Sequence, residues 1–105
     1  MSRPPRLTDP ELEAWLREHP EWTLENDHLV RALRTDSYAN GAAIVAAQVP
    51  LAESLDHHPV LTLGYRTVRL ELWTHDRGGV TSLDVAYAQA FDELLHERFA
   101  DVLTD

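Results

Sequence analysis

No cysteine occurs among the 105 residues. That absence removes a disulfide scaffold, a thiol nucleophile and any thiolate metal site, and it fits a reducing cytoplasm, the expected location. Long apolar runs are missing as well: nothing approaches the roughly 20 residues that a membrane-spanning helix needs. Met1–Leu7 carries Arg3 and Arg6 without an apolar run, so no signal peptide is expected there. Basic residues are scarce, 9 Lys and Arg against 18 Asp and Glu, for a formal net charge of −9. Such a chain repels phosphate backbones, which argues against nucleic-acid binding. There is no Gly-rich phosphate loop, Gly78-Gly79 being only a turn signal, and no Gly-x-Ser-x-Gly element of a serine hydrolase.

What is present suffices for one core. Hydrophobic residues make up 44% and charged ones 26%, with three Trp, three Tyr and two Phe, a composition of a globular domain. Pro4 and Pro5 mark residues 1–7 as a disordered N-terminal arm, which leaves 8–105 as a single domain. Thr8-Asp9-Pro10-Glu11 reads as a helix start with a capping box. Leu12, Trp15 and Leu16 then share a face, and His19-Pro20 ends the helix. Trp22–Leu24 and Leu29–Thr35 read as strands joined by the turn residues Glu25-Asn26-Asp27. Tyr38–Leu55 reads as a second helix, bent or interrupted at Pro50, and His57-His58-Pro59 closes it. Val60–Gly64 and Thr67–Thr74 form a second hairpin around Gly64-Tyr65-Arg66. In it Val68, Leu70 and Leu72 alternate with Arg69, Glu71 and Trp73, the pattern of a sheet buried on one side. After the loop Asp76-Arg77-Gly78-Gly79, Thr81 caps a last helix in which Leu83, Tyr87, Ala90, Phe91, Leu94 and Val102 keep a helical period. The order α-β-β-α-β-β-α predicts an α+β fold: a four-stranded antiparallel sheet with three helices packed on one face.

Histidine carries what chemistry the sequence offers. Of six in the chain, His57, His58 and His75 are brought together by the second hairpin, because antiparallel pairing joins its open ends. Pro59 pushes His58 toward extended backbone, so the rings of His57 and His58 should diverge. Glu53, one helical turn before His57, can bond that ring. Imidazoles titrate near neutrality, so the cluster suits proton transfer. The same residues admit blander readings. His57 and His58 could cap a helix C-terminus, and histidines with Glu53 or Asp56 could ligate a divalent metal, although no single element carries a metal-binding spacing. Asp84, three residues after Thr81, also suits a helix N-terminus. Trp22 and Trp73 read first as core, and His19, His28 and His96 as isolated surface residues.

The run Glu53-Ser54-Leu55-Asp56-His57-His58-Pro59, followed by Tyr65, His75 and Asp84, resembles the signature of the pterin-4a-carbinolamine dehydratases. The resemblance is close from Glu53 to Asp84 and looser back to Trp22, which looks like the tryptophan opening the family's first strand. It departs from the family where aromatic residues are common, at Leu33, Thr35, Gly41, Ala42 and Ala43, and at Pro50. The resemblance implies dehydration of a 4a-hydroxytetrahydropterin to the quinonoid dihydropterin, with no metal or organic cofactor. It implies His57, His58 and His75 as catalytic: His57 and His75 move protons and His58 orients the pterin. Glu53, Asp84 and Trp22 are implied as supporting or substrate-binding residues. Glu53 would set a ring tautomer or bond the pterin, and Asp84 would support His75 or the loop before the last helix. A homodimer or homotetramer is implied as well.

Overall fold

Caps and breakers in the sequence set where each element begins and ends. In the computed structural model, which describes residues 3–104, α1 spans Asp9–Glu18. Its capping box is complete: Thr8 Oγ1 accepts the Glu11 N–H, and Glu11 returns a carboxylate oxygen to the Thr8 N–H at 2.8 Å. The strands β1 (Trp22–Glu25) and β2 (His28–Thr35) follow. Asn26 and Asp27 between them both take positive φ, 52° and 65°, as a two-residue hairpin turn of the I′ kind requires. The expected second helix is two: α2 (Tyr38–Ala47) and α3 (Val49–Leu55). The break falls at Gln48, so that Pro50 sits in the first turn of α3, where its missing N–H costs nothing. The strands β3 (Val60–Leu63) and β4 (Thr67–Leu72) form the second hairpin, and α4 spans Ser82–Leu94.

The fold is α+β. The sheet is antiparallel throughout, in the order β1-β2-β4-β3, and its inner face carries the core. Leu29, Leu33, Val68, Leu70 and Leu72 from β2 and β4 are buried against Ile44, Tyr87 and Phe91 from the helices. The opposite row, Ala32, Arg34, Arg69, Glu71 and Trp73, keeps solvent contact. Val30 belongs to that outer row and is nevertheless buried, flanked in the ladder by Thr23 and Glu71.

Two features differ from the sequence reading. A two-residue strand, β5 (Leu103–Thr104), adds to the four that were expected and pairs with the end of β2 beyond β1; so short a strand is held by its partner and has no pattern of its own. The last helix does not keep its period to Val102. It widens into a π-helical turn over Leu95–Phe99, which moves burial onto Leu95 and Phe99, and a 3₁₀ turn over Ala100–Val102 follows. Of the arm expected at residues 1–7, Met1 and Ser2 lie outside the described residues, and contacts are made from within 3–7. Arg77 donates to the carbonyls of Arg3 and Pro4 at 2.7 and 3.1 Å, and the Leu7 N–H donates to Val80 at 2.9 Å. Proline stiffens this segment into extended chain, a shape that lies along a loop as readily as it frays.

One buried contact ties the helical layer together. The Tyr87 hydroxyl of α4 donates to Gln48 Oε1 at the α2–α3 break, at 2.5 Å. Burial pushes the Tyr87 phenol well above its ordinary range, which keeps it a donor. Tyr87→Phe leaves Gln48 Oε1 without that donor and is expected to lower stability by about 1–3 kcal/mol. Urea denaturation checks this as a lower midpoint at unchanged slope.

Candidate active site

Three chain segments meet at one end of the sheet. Val60 of β3 stands opposite Glu71 of β4, so the chain entering β3 runs beside the chain leaving β4. His57 and His58 lie on the first segment, Thr74 and His75 on the second. The N-terminus of α4 supplies the third, with Thr81 and Asp84.

The end of α3 aims His57. Asp56 takes a left-handed conformation at φ 48°, the Asp56 N–H donates to the Glu53 carbonyl, and the His57 N–H donates to the Ala52 carbonyl at 3.0 Å. This pair of bonds is a Schellman motif. It turns the chain sharply, so His57 leaves the helix axis and its ring enters the protein, only 6% exposed. There Nε2 lies 2.5 Å from Asp84 Oδ1.

Asp84 is completely buried, and both its oxygens are used. Oδ2 accepts the Thr81 backbone N–H at 2.8 Å and the Thr74 hydroxyl at 2.9 Å. Thr74 spends its one proton on Asp84, so the 2.8 Å contact between the two threonine hydroxyls has Thr81 as donor. Thr81 Oγ1 in turn accepts the Leu83 N–H at 3.2 Å. With the carboxylate acting as acceptor throughout, His57 presents Nε2–H to it, and among the described residues its Nδ1 has no hydrogen-bond partner on the ring that lines the cleft.

The cleft has a volume of about 270 Å³ and is lined by Arg3, Asp56, His57, His58, Thr74, His75 and Asp76. All three candidate imidazoles therefore border one cavity. His57 is anchored from below, while His58 is more than half exposed. His75 opens the 3₁₀ turn His75–Arg77, which closes on Gly78 in a left-handed conformation that glycine adopts freely.

Several expected contacts fall elsewhere. Glu53 does not bond His57; its carboxylate lies 3.6 Å from His58 Nε2 and is mostly exposed. The helical i, i+4 relation ends at Asp56, so His57 turns inward and His58 comes back over the helix end. Asp84 supports His57 and the loop before α4, through the Thr81 N–H, but it makes no bond to His75. Trp22 is 2% exposed and lies in the core, edge-on to Phe91 at 6.5 Å, with its N–H donated to Asp92 at 2.9 Å; it does not border the cleft. Tyr65 sits at the far tip of the β3–β4 hairpin, 74% exposed. Thr74, Asp76 and Arg3 were not singled out, and Asp56 only as a possible metal ligand. For Thr74 the signal was available: strand alternation turns it inward beside His75.

Among the described residues no group of three His, Cys, Asp or Glu side chains is placed to hold a metal ion, because Asp84 faces His57 alone. Nor is any described helix long and apolar enough to cross a membrane.

With this geometry in view, the comparisons with known proteins agree with one another. Residues 5–94 match the family described as pterin 4 alpha carbinolamine dehydratase. A protein of Chloroflexus aurantiacus, provisionally named a pterin-4-alpha-carbinolamine dehydratase, is 42% identical over 91 residues, covering 87% of this chain and 98% of its own. The crystal structure of a transcriptional coactivator/pterin dehydratase from Brucella melitensis superposes with a TM-score of 0.79 at 30% identity, covering 85% of this chain and 97% of that one. A pterin dehydratase-like protein described as a RuBisCO assembly factor in the alpha-carboxysome shares the fold, with a TM-score of 0.56 at 23% identity over 70% of this chain and 84% of its own. The chain belongs to the pterin-4a-carbinolamine dehydratase family.

Burying Asp84 demands every one of its donors. Asp84→Ala takes the acceptor from three donors at once, the Thr81 N–H, the Thr74 hydroxyl and the His57 ring, and is expected to destabilise the fold by about 3–5 kcal/mol, each buried donor left unsatisfied costing about 1–3 kcal/mol. Thr74→Val, which deletes a single hydroxyl, should cost about 1–3 kcal/mol. Chemical denaturation of both variants checks the order; a Thr74→Val loss as large as that of Asp84→Ala would contradict the assignment.

Proposed function

We propose that the protein dehydrates a 4a-hydroxytetrahydropterin to the quinonoid dihydropterin and water, in recycling of a tetrahydrobiopterin-type cofactor. The observation that carries this reading is the single cleft bordered by His57, His58 and His75, with His57 held by a fully buried Asp84. The reaction breaks the C4a–O bond, whose electrons leave with the hydroxyl as it is protonated to water. It also removes the N5 proton, and the N–H electron pair becomes the C4a=N5 double bond. One group must give a proton and another take one, on different atoms of the same ring. Two imidazoles across one cleft suit that task, since each can do either near neutrality.

His57 and His75 are the proton-transfer residues of this reading, and His58 orients the pterin. Asp84 acts through His57 by holding its ring and tautomer, much as a buried carboxylate orients a catalytic histidine elsewhere. Glu53 acts at one remove, through His58. The cleft is large enough for a flat bicyclic ring, and Asp56, Asp76 and Arg3 offer polar partners to its edge. Assembly as a homodimer or homotetramer accompanies the proposal.

A second reading has one specific support. The Brucella relative bears a double description, as coactivator and dehydratase, so the same fold could serve as a non-catalytic binding module. Turnover separates the two. Wild type should accelerate the dehydration of freshly generated 4a-hydroxytetrahydropterin, and His57→Ala and His75→Ala should each lose about 10²–10⁴-fold in kcat. Chelation of metals should leave the wild-type rate unchanged. Equal rates for wild type and variants would favour the binding module; a rate abolished by chelation would favour a metal-dependent hydrolase.

A further inference from the structure

The two proton-transfer histidines are held by different means. His57 has a carboxylate behind it. Among the described residues the His75 ring has no side-chain hydrogen bond, and its packing partner is Trp73, with ring centroids 4.5 Å apart at 31°. The indole is also stacked on His28 of β2, at 3.8 Å and 7°. His28 is itself tethered, its Nδ1 lying 3.2 Å from the Glu71 carboxylate. Glu71 also takes Arg69 Nε at 3.4 Å, and Arg69 reaches Glu25 on β1 at 2.9 Å. A column of three rings thus runs from the outer face of the sheet to the cleft, with its outer end held by charged groups on two strands, β4 and β1.

We propose that Trp73 is a positioning residue for His75, holding the imidazole at its working angle, and that His28, locked by Glu71, backs the indole. This deepens the dehydratase reading and rests on it. The need is physical. A surface histidine without a partner samples about three χ1 wells and two broad χ2 orientations, whereas a ring stacked on a fixed indole is confined. A proton donor or acceptor must lie within hydrogen-bond reach of its target atom, so dilution over about six orientations lowers the productive fraction in proportion. His28, which looked like a lone surface histidine, acquires a place in the site at two removes from the cleft.

Trp73 is only half-buried and lies outside the main core, so its replacement leaves the fold in place, which thermal denaturation verifies. Trp73→Leu should lower kcat about 5- to 10-fold with little change in KM, on the orientation count above, and Trp73→Phe should restore most of the loss. In a His75→Ala background Trp73→Leu should cost nothing further, the signature of two residues acting as one unit; an equal loss in both backgrounds overturns the proposal. The ring protons of His75 supply a measurement independent of turnover. Their NMR signals should be displaced by the indole ring current in wild type and move toward ordinary values in Trp73→Leu. Unchanged His75 signals overturn the positioning role whatever the kinetics. An inactive wild type with displaced His75 signals overturns the dehydratase reading and keeps the positioning of His75 by Trp73.

Discussion

A carboxylate with no exposed surface has to be satisfied where it stands, and Asp84 makes that demand on three parts of the chain at once. Left without partners, a buried charge costs several kcal/mol even after relaxation. The last helix supplies the Thr81 N–H, the end of β4 supplies the Thr74 hydroxyl, and the turn after α3 supplies the His57 ring. Thr74 and Thr81 lie seven positions apart, whereas His57 reaches Asp84 from 27 positions earlier in the chain. Its place in the first turn of α4 adds the favourable field of the helix N-terminus. The cleft end of the domain is thus assembled around one buried carboxylate, and displacement of any of the three segments leaves it short of a donor.

From that point the cleft follows. The left-handed Asp56 is the device that turns His57 toward Asp84 and releases His58 toward solvent, so that two adjacent histidines take unlike surroundings. His75 arrives from the opposite strand and leans on an indole. Three imidazoles of one kind thereby differ in burial, in partner and in freedom, and such differences allow chemically identical side chains to serve as donor, acceptor and clamp.

Much of the fold was legible because its signals are local. The Thr8–Glu11 capping box, the His19-Pro20 stop, the alternation from Val68 to Trp73 and the Thr81 cap each depend on neighbours in sequence, and each reappears at its expected place. Pro50 announced the break between α2 and α3. What escaped depends on distant partners: β5 exists because β2 has a free edge beside it, and the π turn exists because Leu95 and Phe99 find the core. The carbonyls of Arg3 and Pro4 accept from Arg77, some seventy positions away. The site divides in the same way. That His57, His58 and His75 converge follows from hairpin pairing. That Asp84 serves His57, and that Glu53 faces His58, depends on a positive φ at a non-glycine residue, which no composition rule marks. Trp22 matches the family pattern as a core residue, edge-on to Phe91, and similarity of sequence alone does not separate packing from contact with a ligand.

The most direct test of the account is a crystal structure of the protein with a dihydropterin bound. The bicyclic ring should lie among His57, His58 and His75, with Nδ1 of His57 and the His75 ring within hydrogen-bond reach of atoms around C4a and N5, and with Asp84 still bonded to His57. A pterin seated elsewhere, such as the separate cleft bordered by Arg31, Asp92 and His96, or a His57 ring turned away from the ligand, would contradict it.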